Sequence, residues 1–119
     1  MNSGGLWFFL VIFINSYRKV FNMTSLYLTL QQDSERIKAI AQSYNAQNIR
    51  VFGSVARGED SSNSDIDFLV DFLPGSTLLD QVGFMDALSA LLGRKVDIVS
   101  ERALNKYIRQ SVLEEAISL

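Results

Sequence analysis

The chain has 119 residues, of which 48% are hydrophobic, and its formal net charge is −2. This length provides one hydrophobic core without room for a second domain, and the weak negative charge argues against a broad nucleic-acid-binding surface. The chain contains no histidine and no cysteine, which excludes histidine acid–base catalysis, thiol nucleophiles, disulfides and the usual zinc sites. We expect a cytoplasmic protein that binds neither a membrane nor a specific nucleic acid.

The N-terminal 22 residues do not fit the pattern of the rest of the chain. Residues 6–14 form an uninterrupted apolar run, which is too short to span a bilayer, where about 20 residues are needed. No basic residue precedes the run and no small-residue cleavage site is evident, so a signal peptide is not indicated. We favour a translation start at Met23; the alternative is that residues 1–22 are an interfacial or partner-binding anchor. The folded domain is expected to comprise residues 23–119.

From residue 34 onward, apolar spacing and turn residues predict six elements in the order helix, strand, strand, helix, strand, helix. Their expected ranges are 34–44, 49–52, 65–72, 77–93, 95–99 and 105–117. A brief helical turn that ends at Gly58 follows the first strand, and Thr77 with Asp80 is expected to cap the second helix. The buried stripe of that helix is expected to consist of Leu78, Val82, Met85, Leu88 and Leu92. This order predicts an α/β (α+β) fold, in which a mixed β-sheet is packed by helices in a single compact domain.

Two carboxylates occur at strand spacing in the second predicted strand. Side chains alternate along an extended strand, so Asp65 and Asp67 are expected to lie on one face, while Ile66 and Phe68 face the core. A third carboxylate, Asp97, lies inside the apolar run of the third predicted strand. If the two strands pair side by side, the three acids meet at one edge of the sheet.

Three carboxylates this close together repel one another. At separations of about 5–6 Å, each like-charge pair costs on the order of 3 kcal/mol at an effective dielectric of about 20. No lysine or arginine lies between residues 61 and 74, so the sequence offers no obvious local counter-charge. Mg²⁺, a hard cation that binds oxygen ligands, is therefore the natural partner of these acids.

A glycine–serine turn precedes the acids, with ten residues between the two motifs. The first predicted strand runs directly into Gly53 and Ser54. Gly53 would let the main chain approach a phosphate, the Ser54 hydroxyl could donate a hydrogen bond, and the following helical turn would add a favourable dipole. Each feature alone is common, as an ordinary turn or as an Asp-x-Asp on a solvated strand. Their combination predicts a site that holds a nucleoside triphosphate through divalent metal.

The residues Gly-Ser-Val-Ala-Arg-Gly-Glu at 53–59, together with Ser-Asp-Ile-Asp-Phe-Leu-Val at 64–70, resemble the signature of the minimal nucleotidyltransferases. These are small members of the DNA polymerase β-like nucleotidyltransferase superfamily. The resemblance covers about residues 34–119 and implies a nucleotidyltransferase-like sheet. Both the residue types and the ten-residue gap match, so the central motif is specific.

The resemblance also implies roles for individual residues. Gly53 and Ser54 would bind the triphosphate of ATP. Asp65 and Asp67 would hold the metals, which we expect to be two Mg²⁺ ions. Asp97 would be the third carboxylate, acting either as a metal ligand or as the acceptor of a proton.

Arg57 matches the arginine that the family carries after the glycine–serine turn. Two roles remain open for this side chain. It could contact a phosphate of the nucleotide, or it could pair with Glu59 or Asp60 on the surface.

Many minimal nucleotidyltransferases are antitoxins encoded beside a HEPN-domain ribonuclease, which they inactivate by transferring AMP from ATP to a tyrosine. The resemblance therefore implies a metal-dependent antitoxin of a type VII-like pair, with a HEPN toxin as its partner. Two alternatives are an antitoxin that only occludes its partner and a transferase that acts on a small molecule or an RNA end. The complete motif favours catalysis over occlusion. The C-terminal helix from Tyr107 to Ile117 is either the docking surface for the partner or part of the domain's own core.

Overall fold

Helices cover one face of a four-stranded sheet in the computed structural model of this chain, which describes residues 25–119. The predictions for residues 1–22 and for a start at Met23 lie outside the described residues. The helices are α1 Ser25–Gln32, α2 Ser34–Ser43, α3 Gly53–Arg57, α4 Leu78–Leu92 and α5 Lys106–Glu115, with a 3₁₀ turn at Glu101–Ala103. The strands are β1 Ala46–Phe52, β2 Ile66–Phe72, β3 Val96–Ser100 and β4 Ile117–Ser118.

The strand order in the sheet is β3-β2-β1-β4. Strand β1 is antiparallel to both β2 and β4, whereas β2 and β3 are parallel. A parallel pair needs a long crossover between its strands, and α4 provides it. This mixed sheet packed by helices, in one compact domain, confirms the predicted fold class.

The hydrophobic core lies between the sheet and helices α1, α2 and α4. Alternate residues of β2 face this core, and Ile66, Phe68 and Val70 are fully buried. Helix α4 contributes Phe84 and Leu88, which are also fully buried. Because side chains alternate along a strand, the opposite face of the sheet is free to carry the polar residues of β2.

The predicted buried stripe of α4 is only partly correct. Leu88 is fully buried and Met85 packs against the core, but Leu78 and Val82 are 74% and 41% exposed. Phe84 is the other side chain of this helix that is fully buried. Apolar residues lie on all sides of α4, so their spacing does not identify the face that meets the sheet. The predicted cap is confirmed, since the Thr77 backbone N–H donates to the Asp80 carboxylate at 2.9 Å.

The C-terminal helix α5 is not part of the core. None of its residues is buried, and Tyr107 and Ile108 are 82% and 50% exposed. The interpretation of this helix as a core element is therefore wrong, and the docking role stays a prediction. The helix also ends earlier than expected, because Ile117 and Ser118 form β4 and pair with Val51 and Arg50. None of the helices in residues 25–119 is long and apolar enough to cross a membrane.

Candidate active site

Two of the three predicted acids lie side by side on the sheet. Asp67 of β2 and Asp97 of β3 are direct partners in the parallel ladder, and neighbouring strands are about 4.8 Å apart. Both are half-buried and lie on the face opposite the core, because the residues that flank them, Ile66 and Phe68 in β2 and Val96 and Ile98 in β3, are core residues. Asp65 comes directly before β2 and is also half-buried. The structure thus confirms that the strand of Asp97 pairs alongside the strand of Asp67.

Gly53 packs directly against Asp67. Its φ of +74° belongs to the left-handed region that favours glycine. A Cβ atom at this position would clash with Asp67 Oδ2, so any other residue here would push the Asp67 carboxylate aside. Phe52, the residue before the turn, is the direct partner of Asp67 in the β1–β2 ladder. Sheet pairing therefore joins the two halves of the motif, with Ser54 next to Gly53 in α3.

The electrostatic environment of Asp67 disfavours its negative charge. Burial raises the pKa of Asp67 above its ordinary value, and the nearby carboxylates of Asp97, Asp65 and Glu115 raise it further. Arg57 acts in the opposite direction without cancelling these effects. The site is therefore short of positive charge at Asp67.

The expectation that the acids have no local counter-charge is wrong for Asp65. Lys95 Nζ lies 3.5 Å from Asp65 Oδ2. Lys95 comes just before β3 and lies far from residues 61–74 in the chain, so it reaches Asp65 only because β2 and β3 pair. Its side chain is 75% exposed, so this ion pair is expected to stabilise the fold little. Within residues 25–119, Asp67 and Asp97 have no ion-pair partner within 4.0 Å.

Glu115, at the end of α5, is a residue of the site that sequence reasoning missed. The Gly53 backbone N–H donates to Glu115 Oε2 at 3.2 Å, and Arg57 Nη1 donates to Glu115 Oε1 at 2.5 Å. Arg57 Nε also donates to Glu59 at 2.9 Å, so the surface pairing with Glu59 is present. The hydrogen bonds of Arg57 to Glu59 and to Glu115 raise the pKa of Arg57. No local signal marks Glu115, because 58 residues separate it from Arg57.

The loop between the two halves of the motif is held by Arg94, which lies in the turn before β3. Arg94 Nη2 donates to the backbone carbonyl of Ser61 at 2.9 Å and also to that of Ser64. Within the loop, the Ser61 backbone N–H donates to Ser64 Oγ at 2.8 Å. These bonds place the end of the loop, and hence Asp65, at the start of β2.

The donor chemistry of the three acids fits a hard cation such as Mg²⁺, which binds carboxylate oxygens. The absence of a side chain at Gly53 also leaves the space beside Asp67 Oδ2 that a Cβ atom would fill. In the part of the chain that the structure describes, no group of three or more Asp, Glu, His or Cys side chains is already gathered to hold a metal ion. Asp65, for example, is paired with Lys95. The backbones of the three acids are thus close together in the paired strands β2 and β3, but binding a shared cation would require their side chains to rotate.

Two surface cavities lie away from these acids. One, of about 430 Å³, is lined by residues of α2, by the first residues of β1 and by Ser118 and Leu119, and the other, of about 480 Å³, adjoins the loop after β2. Neither cavity is lined by any of the six predicted site residues. The candidate site is therefore distinct from both cavities and is formed by the face of the sheet opposite the core and by the turn at Gly53.

Comparisons with known proteins identify the family. The sequence model described as "Polymerase beta, Nucleotidyltransferase" matches residues 35–119. The protein adenylyltransferase MntA of Thermococcus cleftensis is 39% identical over 80 residues, which cover 67% of this chain and 81% of that protein. A Methanocaldococcus jannaschii protein proposed to be a protein adenylyltransferase is 42% identical over 81 residues, which cover 67% of this chain and 83% of that protein.

Solved structures show the same fold. A structure proposed to be that of a minimal nucleotidyltransferase aligns with a TM-score of 0.72 at 48% identity, and the alignment covers 81% of this chain and 97% of the other. A toxin–antitoxin structure with AMP-PNP aligns with a TM-score of 0.61 at 24% identity, covering 71% of this chain and 69% of the other. The chain therefore belongs to the polymerase beta nucleotidyltransferase family, as the motif predicted, and it is a nucleotidyltransferase.

Proposed function

We propose that this chain is a Mg²⁺-dependent protein adenylyltransferase that acts as the antitoxin of a type VII-like toxin–antitoxin pair. It transfers AMP from ATP to a tyrosine of a HEPN ribonuclease toxin. The observation that carries this proposal is the pairing of Asp67 with Asp97, with Gly53 packed against Asp67. The choice of partner is supported by relatives, since MntA of Thermococcus cleftensis is a protein adenylyltransferase and one solved neighbour is an MntA–HepT toxin–antitoxin complex.

The turn at Gly53 is the proposed binding site for the triphosphate of ATP. Its backbone N–H and the guanidinium of Arg57 both donate to a carboxylate in the structure, so both are directed at an anion. The Ser54 hydroxyl would add a further hydrogen bond to a phosphate oxygen. A phosphate oxygen has the same charge and acceptor character as the carboxylate, and hydrogen bonds to such anions are stronger than those between neutral groups.

Asp65, Asp67 and Asp97 are the proposed ligands of two Mg²⁺ ions. Held by these carboxylates, Mg²⁺ would supply positive charge for the phosphates and the pyrophosphate leaving group and would lower the pKa of the attacking hydroxyl. The raised pKa of Asp67 supports this assignment, because an ionised carboxylate crowded by other acids gains from a nearby cation.

The transfer reaction breaks a phosphoanhydride bond of ATP and forms a phosphoester bond to the tyrosine. The phenolic oxygen of the tyrosine forms a bond to the α-phosphorus of ATP, while the bond from that phosphorus to the oxygen bridging to the β-phosphate breaks. The electron pair leaves with pyrophosphate. Asp97 is either a metal ligand or the group that accepts the phenolic proton, and its half-buried position beside Asp67 suits both roles.

Intact-mass spectrometry of the partner tests the proposal. A HEPN-domain protein from the neighbouring reading frame is incubated with this chain, ATP and Mg²⁺, and we expect it to gain the mass of AMP on a tyrosine and to lose ribonuclease activity. Asp67→Asn should leave the partner unmodified but still bound. Asp86→Asn serves as the matched control, because Asp86 lies on the exposed side of α4, and it should modify the partner normally.

Two outcomes would contradict the proposal. If wild type and Asp67→Asn both silence an unmodified partner, the protein acts by occlusion. If the partner stays active and labelled AMP appears on a small molecule or an RNA end, the acceptor is not a protein.

A further inference from the structure

A carboxylate of this chain lies where the proposed nucleotide phosphates would bind. One oxygen of Glu115 accepts from the Gly53 backbone N–H at 3.2 Å, and the other accepts from Arg57 Nη1 at 2.5 Å. The Glu115 side chain is 22% exposed, so it is largely inserted between α5 and the turn. A single side chain thus accepts from two of the three groups that are assigned to the triphosphate, Gly53 and Arg57.

We propose that Glu115 is a built-in competitor of the triphosphate, which the nucleotide must displace from Gly53 and Arg57. This inference rests on the proposed function, because it takes these two groups as phosphate donors. A carboxylate and a phosphate are both anionic oxygen acceptors, and one backbone N–H can make only one good hydrogen bond at a time. Glu115 therefore lowers the apparent affinity for ATP. When no nucleotide is bound, it accepts hydrogen bonds from the Gly53 backbone N–H and from Arg57.

The fold positions Glu115 from both sides. Helix α5 packs against α3, and Glu115 is the last residue of α5. Two residues later, Ile117 pairs with Val51 of β1, the strand that leads into Gly53. The Glu115 side chain is thus held at the turn by the sheet on one side and by the helix on the other. Its contact with Gly53 and Arg57 therefore follows from the tertiary structure.

The adjacent Glu114 provides a matched control. It carries the same charge on the same turn of α5, but its carboxylate accepts from Gln110 Nε2 at 2.8 Å and no contact of it with the turn is found in residues 25–119. Glu115→Gln removes the charge at the turn, whereas Glu114→Gln removes an equal charge beside it. Glu115→Asp keeps the negative charge but shortens the side chain. It therefore separates the effect of the direct hydrogen bonds from the effect of the charge alone.

Calorimetric titration of the full chain with AMP-PNP and Mg²⁺, and with inorganic tripolyphosphate, tests the proposal. Because Arg57 is half exposed and its ion pair is therefore modest, we expect Glu115→Gln to lower the Kd about three- to tenfold. The decrease should be equal for AMP-PNP and tripolyphosphate, since the competition concerns phosphates and not the base. Glu115→Asp should give a smaller decrease, and Glu114→Gln should leave the Kd unchanged.

Several results would overturn the role of Glu115. The Kd of Glu115→Gln could equal or exceed that of wild type, or Glu114→Gln could lower the Kd to the same extent. If thermal melts show that Glu115→Gln does not fold, Glu115→Asp decides, and an unchanged or higher Kd would reject the competition. Failure of wild type and of all variants to bind AMP-PNP would instead overturn the proposed function itself.

Discussion

Two aspartates on the same face of β2 have opposite environments. Asp67 and Asp71 are four residues apart in one strand, so their side chains leave the sheet on the same side. Asp71 accepts hydrogen bonds from Arg50 Nη2 at 3.1 Å and from Asn48 Nδ2 at 2.9 Å. Asp67 has no ion-pair partner within 4.0 Å in the described part of the chain. One acid is thus neutralised within the fold, and the other is not.

The pKa values follow this difference. Burial acts to raise the pKa of Asp71, but the hydrogen bond from Asn48 and the charge and hydrogen bond of Arg50 outweigh it, so that the pKa lies below its ordinary value. Burial raises the pKa of Asp67, and the neighbouring acids add to this effect. An acid that serves stability is accompanied by its own donors, whereas an acid without them is a candidate for binding an external cation.

Asp67→Asn is expected to cause the largest effect, a loss of nucleotidyl transfer of about a thousandfold or more, because a proposed metal ligand is removed. The metal-free protein should be as stable as wild type or slightly more stable, since one of several crowded carboxylates loses its charge. Transfer assays and thermal melts in EDTA measure the two effects. Asp65→Asn should behave in the same way. A loss of several kcal/mol in EDTA would mean that these acids are structural.

Gly53→Ala should lower transfer about a hundredfold, because the new Cβ would displace Asp67 Oδ2 from its present position. Gly75→Ala is the matched control. Gly75 also has a positive φ, of +88°, but a Cβ there would meet no atom within 4 Å. We expect Gly75→Ala to cost about 1 kcal/mol of stability through its backbone alone, with transfer unchanged. Equal activity of the two variants would show that the contact between Gly53 and Asp67 is unimportant.

Asp71→Asn should lower the free energy of unfolding by about 2 kcal/mol while the folded protein retains transfer. The reason is that Arg50, which is only 8% exposed, would keep a single carboxylate partner, Glu101 at 3.3 Å. Urea denaturation gives the stability, and transfer is measured at a temperature where the variant is folded. Loss of transfer at full stability would instead place Asp71 in the active site.

The smallest effect concerns pH. Because the folded-state pKa of Asp71 lies below its ordinary value of 3.8, the ionised carboxylate contributes stability above pH 3.8 and loses that contribution as the pH falls through the folded-state pKa. The difference in unfolding free energy between wild type and Asp71→Asn should therefore be constant near neutral pH and shrink below pH 3.8. Urea melts between pH 7 and the acid limit of folding test this, and a difference that grows on acidification would contradict it.

The elements predicted from local pattern were largely confirmed, whereas those that depend on packing were missed. The cap formed by Thr77 and Asp80 and the end of α3 at Gly58 involve neighbouring residues, so the sequence specifies them directly. Helix α1 has only eight residues, and β4 only two. Elements this short are marginal by themselves and form because Leu30 of α1 and Ile117 of β4 pack on the rest of the domain.

The sequence by itself determined the chemistry of the candidate site. Residue identity, a local property, indicated that the main chain at Gly53 could approach a phosphate closely. Strand alternation, which is also local, indicated that the carboxylates of Asp65 and Asp67 lie on one face. Only the tertiary structure decided which distant groups meet them. Strand register sets Asp97 against Asp67 and brings Lys95 to Asp65. The packing of α5 adds the Glu115 carboxylate at the turn. Local pattern does not specify such contacts, because contacts between residues far apart in the chain depend on how whole elements pair and pack.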